Sequence, residues 1–134
     1  MHVFLVMALV LIGSTFFARA DDDVGAGQMV IRSQEQAFAR DDAEAAYTFA
    51  APSIQSVFRT PETFMHMVRS GYGPVYRHRS FEFGEAKFVD GKIVQAVHVI
   101  DAEGAAWEAL YYLEPQGDGS LKISGCILKK EAMS

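Results

Sequence analysis

The stretch SGYGPVYRHRSF, residues 70–81, marks the point at which a helical sequence gives way to a strand-like one. Gly71 is predicted to end a helix in the left-handed conformation, and Pro74 is predicted to direct the chain into extended structure. Beyond Pro74 the apolar side chains recur at every second residue, which is typical of a strand. The chain therefore divides here into a helical first half and a β second half.

Before this stretch, four segments have the apolar spacing or the capping residues of helices, at residues 28–40, 43–50, 53–58 and 60–71. The buried stripe of the first segment is predicted to comprise Val30, Ile31, Gln34, Ala37 and Phe38. Asp41 is predicted to cap the second helix, and Pro52 to end it. Thr60, followed by Pro61, is a strong signal for the start of the last helix.

After Pro74, four runs are predicted to be strands, at residues 75–89, 92–101, 105–114 and 121–128. Asp90-Gly91 between the first two is the sharpest hairpin signal in the chain. Strands joined by such short turns form an antiparallel meander. The sequence thus predicts an α+β domain, in which N-terminal helices pack on a curved, cone-like four-stranded antiparallel meander sheet.

The N-terminus has the features of a secretory signal peptide. Residues 3–17 are almost wholly apolar, and Ala18-Arg19-Ala20 then provides a cleavage pattern before Asp21. An uncleaved anchor is the alternative, since no Lys or Arg precedes the apolar run. We therefore expect a signal peptide over 1–20 with cleavage after Ala20, a flexible N-terminus over 21–27, a single domain over 28–130 and a tail over 131–134. The expected location is the periplasm or the exterior.

Composition excludes several classes of protein. Removal of residues 1–20 takes away one basic residue and leaves a net charge of about −6, without a basic stripe. Nucleic acid is therefore not an expected partner, and no membrane contact is expected beyond the signal peptide. The single cysteine, Cys126, cannot form a disulfide within the chain. No metal-ligand, nucleotide or nucleophile motif is present, so no cofactor or metal is expected.

Arg77 and Arg79 are the first candidates for a binding site. If Phe81 faces the core, a period of two places both arginines on the same inward face, at the mouth of a cavity between helices and sheet. There they could bind a carboxylate or phosphate. Tyr76, on the opposite face of the strand, is a further candidate binding residue. One alternative is a bulge that reverses the register and leaves both arginines in solvent, and another is that they pair at the surface with Glu62, Glu82 or Glu108.

Three further side chains are candidates for the same site. Trp107 and Tyr111 share one face of the third predicted strand and could line a pocket, although they could equally be core residues. His98 would be a candidate general base if it faced inward beside a carboxylate, and is otherwise a structural histidine. Cys126 is interpreted as a small buried residue.

Together these residues resemble a secreted bacterial family known as domain of unknown function 4864. The most specific matches are Ala37-Phe38, Asp41-Asp42, Phe49-Ala50, Pro52, Met67-Val68-Arg69, Gly71-Tyr72 and Val75-Tyr76-Arg77. The resemblance covers nearly the whole mature chain and implies no particular activity. The order of elements is also similar to the cone-shaped superfamily of nuclear transport factor 2 and SnoaL-like proteins. That similarity implies helices over a bent sheet and a pocket between them.

The expected function is non-catalytic binding of a small ligand or a protein partner in a helix–sheet cavity, and the ligand would be anionic if the two arginines face inward. One alternative is a cone-fold isomerase or hydrolase that uses His98, or a nearby carboxylate, together with Arg77. Another is a structural envelope protein that forms a homodimer through its open sheet face.

Overall fold

The structure, a computed structural model, describes residues 3–132, with side chains from Ala20 onward. In this part of the chain the helices are α1 (Val3–Ala39), α2 (Ala43–Thr48), α3 (Pro52–Val57), α4 (Pro61–Gly71) and α5 (Gly73–Tyr76). The strands that follow are β1 (His78–Val89), β2 (Lys92–Asp101), β3 (Ala106–Pro115) and β4 (Leu121–Lys130). This order confirms the α+β prediction.

The four strands form one antiparallel sheet in the order β1-β2-β3-β4. The predicted hairpin at Asp90-Gly91 is confirmed, because the two residues have φ of 50° and 76°. Two consecutive positive φ values match the turn whose twist fits the flanking strands, and Asp followed by Gly tolerates them best. The meander topology is thus the one that the short connections predicted.

The helices cover one face of the sheet and form a single core with it. Fully buried side chains from α1, α4 and the two central strands meet there, among them Ile31, Met65, Val97, Val99 and Leu113. Burial of such aliphatic side chains supplies most of the favourable free energy of folding. The stripe predicted for residues 28–40 faces this core.

Helix α1 extends further toward the N-terminus than the sequence predicted. Residues 21–27, predicted as flexible, are helical. Gly27 explains part of the difference, because a Cβ atom there would lie only 2.8 Å from Cδ1 of Leu113. The glycine lets the helix approach β3 closely, so the segment packs against the sheet. The predicted signal peptide, residues 1–20, lies outside the described side chains except for Ala20. Within the described residues, no helix has both the length and the apolar character needed to span a membrane.

The helix caps are those expected, with one change. Thr60 Oγ1 accepts from the Thr63 amide at 3.1 Å, as its position before Pro61 predicted. The cap of α2 is Asp42, whose Oδ1 accepts from Ala45 N at 3.1 Å. Asp41, predicted as this cap, instead adopts φ 56° and reverses the chain after α1. Because Asp41 and Asp42 are adjacent, the local pattern is compatible with either of them as the cap of α2, and the sequence alone does not decide between them.

The corner at residues 70–81 differs from the prediction in two respects. Gly71 is the last residue of α4 and has no positive φ, and Pro74 is the second residue of the single helical turn α5. Proline in the first turn of a helix loses no hydrogen bond, so the residue that was predicted to direct the chain into extended structure lies in a helix instead. Strand β1 consequently begins at His78, three residues later than predicted.

Two irregularities interrupt the pairing of β1 with β2, between His78 and Ser80 and between Phe83 and Ala86. At the second, the buried Gln95 side chain donates to the carbonyl oxygens of Gly84 at 3.0 Å and Ala96 at 2.8 Å. A bulge leaves main-chain groups without strand partners, and this amide satisfies one of them.

Candidate functional site

A cavity of about 670 Å³ lies between the helices and the sheet. This volume is in the range of small-molecule binding sites in proteins. The lining comes from helices and strands alike and comprises Gln34, Phe38, Ala50, Ile54, Phe58, Phe64, Met67, Val68, Tyr72, Val75, Lys92, Tyr111, Tyr112, Ile123, Ser124, Gly125, Cys126 and Ile127.

Most of this lining is apolar. Phe64 of α4 is the centre of an aromatic group, with its ring centroid 6.4 Å from that of Phe38 and 5.7 Å from that of Tyr47. Phe58 lies against the same ring at 6.5 Å. Such tilted and stacked rings form a stiff wall, because each ring is held by its neighbours. The helical side of the cavity is therefore apolar and well ordered.

Two buried polar side chains face the cavity. Tyr111 of β3 is 2% exposed, and among the described residues its hydroxyl makes no hydrogen bond. Gln34 of α1 is 4% exposed and donates through Nε2 to Ala46 O at 3.1 Å, which leaves Oε1 without a described partner. Every fully enclosed side-chain nitrogen or oxygen in the described part has a partner. The Tyr111 hydroxyl and Gln34 Oε1 therefore open onto the space of the cavity.

Tyr72 and Cys126 form a second part of the wall. The Tyr72 hydroxyl donates to Cys126 O at 2.9 Å, which ties the end of α4 to the outer edge of β4. Burial raises the pKa of the Cys126 thiol to about 12. Burial also raises the pKa of Tyr72, and it raises the pKa of Tyr111 well above the ordinary value of 10.0. All three groups are uncharged at neutral pH.

The cavity opens to solvent beside the edge strand β4. Ile127 at this rim is 45% exposed. Lys92 is the one cation among the described lining residues, and its Nζ lies 3.7 Å from Oε2 of Glu114 with half of the side chain exposed. A charge at the mouth of an apolar cavity that is both solvated and paired exerts little field on the interior.

The prediction that Arg77 and Arg79 face the cavity is wrong. Arg77 Nη2 lies 2.9 Å from Asp41 Oδ1, and Nη1 donates to Phe38 O at 2.9 Å, so this side chain caps the end of α1. Its guanidinium also stacks 4.0 Å from the centroid of the Tyr76 ring. Arg79 is exposed beside the β2–β3 turn, near Gly104. Tyr76 packs against Phe38 outside the cavity lining.

The physical reason is a change of register. The helical turn α5 and the irregularity between His78 and Ser80 interrupt the alternation that the sequence pattern implied. His78 takes the inward position instead, with its ring centroid 5.0 Å from that of Phe81. A shift of one residue exchanges the two faces of a strand. The arrangement agrees with the alternative of a reversed register, with Arg79 in solvent, except that Arg77 pairs with Asp41.

Two other predicted site residues also lie away from the cavity. Trp107 Nε1 donates to Asp101 Oδ2 at 2.8 Å, and this hydrogen bond lowers the pKa of Asp101. His98 lies on the outer face of the sheet, 56% exposed, with Nδ1 at 3.6 Å from Oε1 of Glu131. Of the six predicted site residues the cavity contains Tyr111 alone. The cavity also contains Gln34, which the sequence analysis assigned to the core. The feature that could have identified it as a site residue is its polar amide within an otherwise apolar stripe.

A comparison with known families matches residues 20–134 to the family described as Domain of unknown function (DUF4864). The chain belongs to this family. No curated protein and no solved structure matches it. Ten of the residues that carry the DUF4864 resemblance occupy two places in the structure. Phe38, Ala50, Met67, Val68, Tyr72 and Val75 line the cavity, and Asp41, Arg69, Tyr76 and Arg77 form the cluster at the end of α1.

In the described part of this DUF4864 domain, no group of three or more His, Cys, Asp or Glu side chains is arranged to hold a metal ion. Apart from Lys92, the described lining residues of the cavity are apolar or neutral polar.

Proposed function

We propose that this domain binds a small, mainly apolar molecule in the cavity between its helices and its sheet, without transforming it. The observation that carries the proposal is a cavity of about 670 Å³ with an apolar wall and a few inward polar groups. Ligand sites have this character, because apolar contact supplies affinity while polar groups orient the ligand. Because Arg77 and Arg79 do not line the cavity, they give no support to an anionic ligand.

The composition of the lining favours binding over catalysis. Among the described residues that line the cavity there is no His, Asp or Glu, which are the usual general acids and bases. The Cys126 thiol, with its pKa raised to about 12, is protonated and therefore a poor nucleophile. An isomerase or hydrolase that uses His98 and Arg77 would need both residues at the ligand, and both lie elsewhere.

We further propose that the domain acts in the periplasm or outside the cell after cleavage behind Ala20, and that its architecture belongs with the cone-shaped, nuclear-transport-factor-2-like folds. In an aqueous compartment an apolar molecule is poorly soluble, so a binding domain would serve to carry or sequester it. Dimerisation through the open sheet face is the second candidate role. Ile127, which is exposed beside Leu110 on that face, is the observation that favours it.

Titration with the neutral apolar fluorophore N-phenyl-1-naphthylamine tests the proposal. We expect saturable binding to the mature protein. Val68→Phe, which fills part of the cavity from α4, should weaken binding at least about tenfold. The matched control is Val57→Phe, because Val57 is 69% exposed and does not line the cavity. Absence of saturable binding, or equal binding by the folded Val68→Phe variant, would contradict the proposal. Sedimentation of the same samples measures whether the protein forms a dimer.

A further inference from the structure

We infer that the natural ligand of the cavity is an uncharged molecule with a hydroxyl group that bonds to both Tyr111 and Gln34. This inference rests on the proposed binding function and identifies the class of ligand. It follows from three features of the cavity: an unpartnered hydroxyl, an unpartnered amide oxygen, and the absence of an ion among the enclosed lining residues that the structure describes.

The Tyr111 hydroxyl has no protein partner in the described part and remains a neutral phenol, because burial raises its pKa well above 10.0. A phenol can donate one hydrogen bond and accept others. Phe81, whose ring centroid lies 6.3 Å from that of Tyr111, fixes the position of the ring. The hydroxyl is therefore held in place and is free to donate to a ligand oxygen.

Gln34 supplies the complementary group. The hydrogen bond from Nε2 to Ala46 O fixes the orientation of the amide, so the atom left for the cavity is the acceptor Oε1. Gln34 as a residue is only 4% exposed and lines the cavity, so its unpartnered acceptor is available to a hydrogen-bond donor of a ligand there. Together the two groups suit a ligand that offers an acceptor to Tyr111 and a donor to Gln34, which both line the cavity.

A hydroxyl group offers both. It can accept from Tyr111 and donate to Gln34 with one oxygen atom, whereas an ether or a ketone can only accept. A carboxylate can only accept and would also lose its hydration in the cavity. Burial of an ion without a counter-ion is strongly unfavourable.

Neither Glu35, the possible counter-ion for a cationic ligand, nor Lys92, the possible counter-ion for an anionic one, is without a partner. Glu35, which lies close enough to contribute to the raised pKa of Tyr111, is already paired with Arg32 and His78 at 2.6 Å each. Lys92 lies at the rim and is paired with Glu114. An anionic ligand could therefore be held only at that rim. Binding of an anion there is the outcome that would contradict the inference.

Displacement of N-phenyl-1-naphthylamine by 1-decanol, decyl methyl ether and decanoate tests the inference on the mature protein. We expect 1-decanol to bind at least about tenfold more tightly than decanoate, with the ether between them. Tyr111→Phe should weaken 1-decanol roughly three- to tenfold, as expected for one lost hydrogen bond. Because the probe has no hydroxyl group, its affinity should change less than that of 1-decanol. Tyr112→Phe removes the same atom from the next residue of β3, which is less buried than Tyr111, and is the matched control. Gln34→Met should act in the same direction as Tyr111→Phe.

Two results would overturn the inference while leaving the proposed function in place. One is equal affinity of Tyr111→Phe and Tyr112→Phe for 1-decanol. The other is tighter binding of decanoate than of 1-decanol, reduced by Lys92→Met, which would assign an anionic ligand held at the rim. In both cases the probe would still bind, and Val68→Phe would still weaken it. If the probe does not bind to the wild-type protein, the proposed function itself fails.

Discussion

His78 Nε2 lies 2.6 Å from Oε2 of Glu35, and this contact joins the start of β1 to α1. The other ring nitrogen of His78 faces the carbonyl oxygens of Val75 at 3.1 Å and Pro74 at 3.3 Å. All three neighbours of the ring are acceptors, so a ring nitrogen that carries a proton can donate to one of them. The pair is a largely enclosed link between the helical layer and the sheet.

Replacement of His78 is expected to destabilise the fold far more than replacement of its neighbour Arg79. His78→Ala leaves the Glu35 carboxylate partly unpaired in an enclosed site, which we expect to cost about 2 kcal/mol of unfolding free energy. Arg79→Ala removes an exposed side chain and should change the unfolding free energy by less than about 0.5 kcal/mol. Urea denaturation at pH 7 measures both values. A larger loss for Arg79→Ala would show that the register described for β1 is wrong.

Asp41 offers a test of backbone strain at the end of α1. Its φ of 56° lies in the left-handed region, which Asn tolerates and Ala does not. Asp41→Asn loses the charge beside Arg77 and should cost up to about 1 kcal/mol, since the pair is half exposed. Asp41→Ala should cost about 1 kcal/mol more. Equal thermal stabilities of the two variants would exclude strain at this position.

Cys126 is expected to make the stability of the domain decrease at alkaline pH. Its pKa is raised from 9.0 to about 12 by burial, so between these values the unfolded chain has released a proton that the folded chain retains. Stability from this group is complete below pH 9 and falls as the pH rises toward 12, by up to about 1.4 kcal/mol per pH unit. Buried tyrosines contribute in the same direction above pH 10.

Cys126→Ser isolates the contribution of the thiol, because a hydroxyl of similar size does not titrate in this range. Between pH 8 and pH 10 we expect the unfolding free energy of the wild-type protein to fall by about 1 kcal/mol more than that of the variant. Iodoacetamide gives an independent readout. At pH 8 it should alkylate the folded protein at least about tenfold more slowly than the protein in urea. Parallel pH profiles for the two proteins would contradict the shift.

Features determined by neighbouring residues were predictable from the sequence. Thr60 before Pro61 predicted the start of α4, and the threonine hydroxyl accepts from Thr63 N three residues later. Asp90-Gly91 predicted the first hairpin through its conformational preference. In both cases the interacting groups lie within one turn of chain, so local chemistry decides the outcome.

The candidate site was much less predictable. Tyr111 was identified as a possible lining residue from its strand phase, but Gln34 was assigned to the core without a role. These residues are far apart in the chain, and only packing of α1 on the sheet brings them to one cavity. Trp107 had the same phase along the strand, but its indole donates to Asp101 at the end of β2 and lies outside the cavity lining.

The sequence by itself determined the order of helices and strands, the meander and the apolar stripe of α1, because these depend on periodicity and short turns. Only the tertiary structure decided which side chains of residues 77–79 face inward. One helical turn at Gly73–Tyr76 and one irregularity after His78 are enough to reverse the strand's faces. The reversal places His78 inside, where it contacts the Glu35 carboxylate of α1. It leaves the arginines outside, where Asp41 and water stabilise their charge.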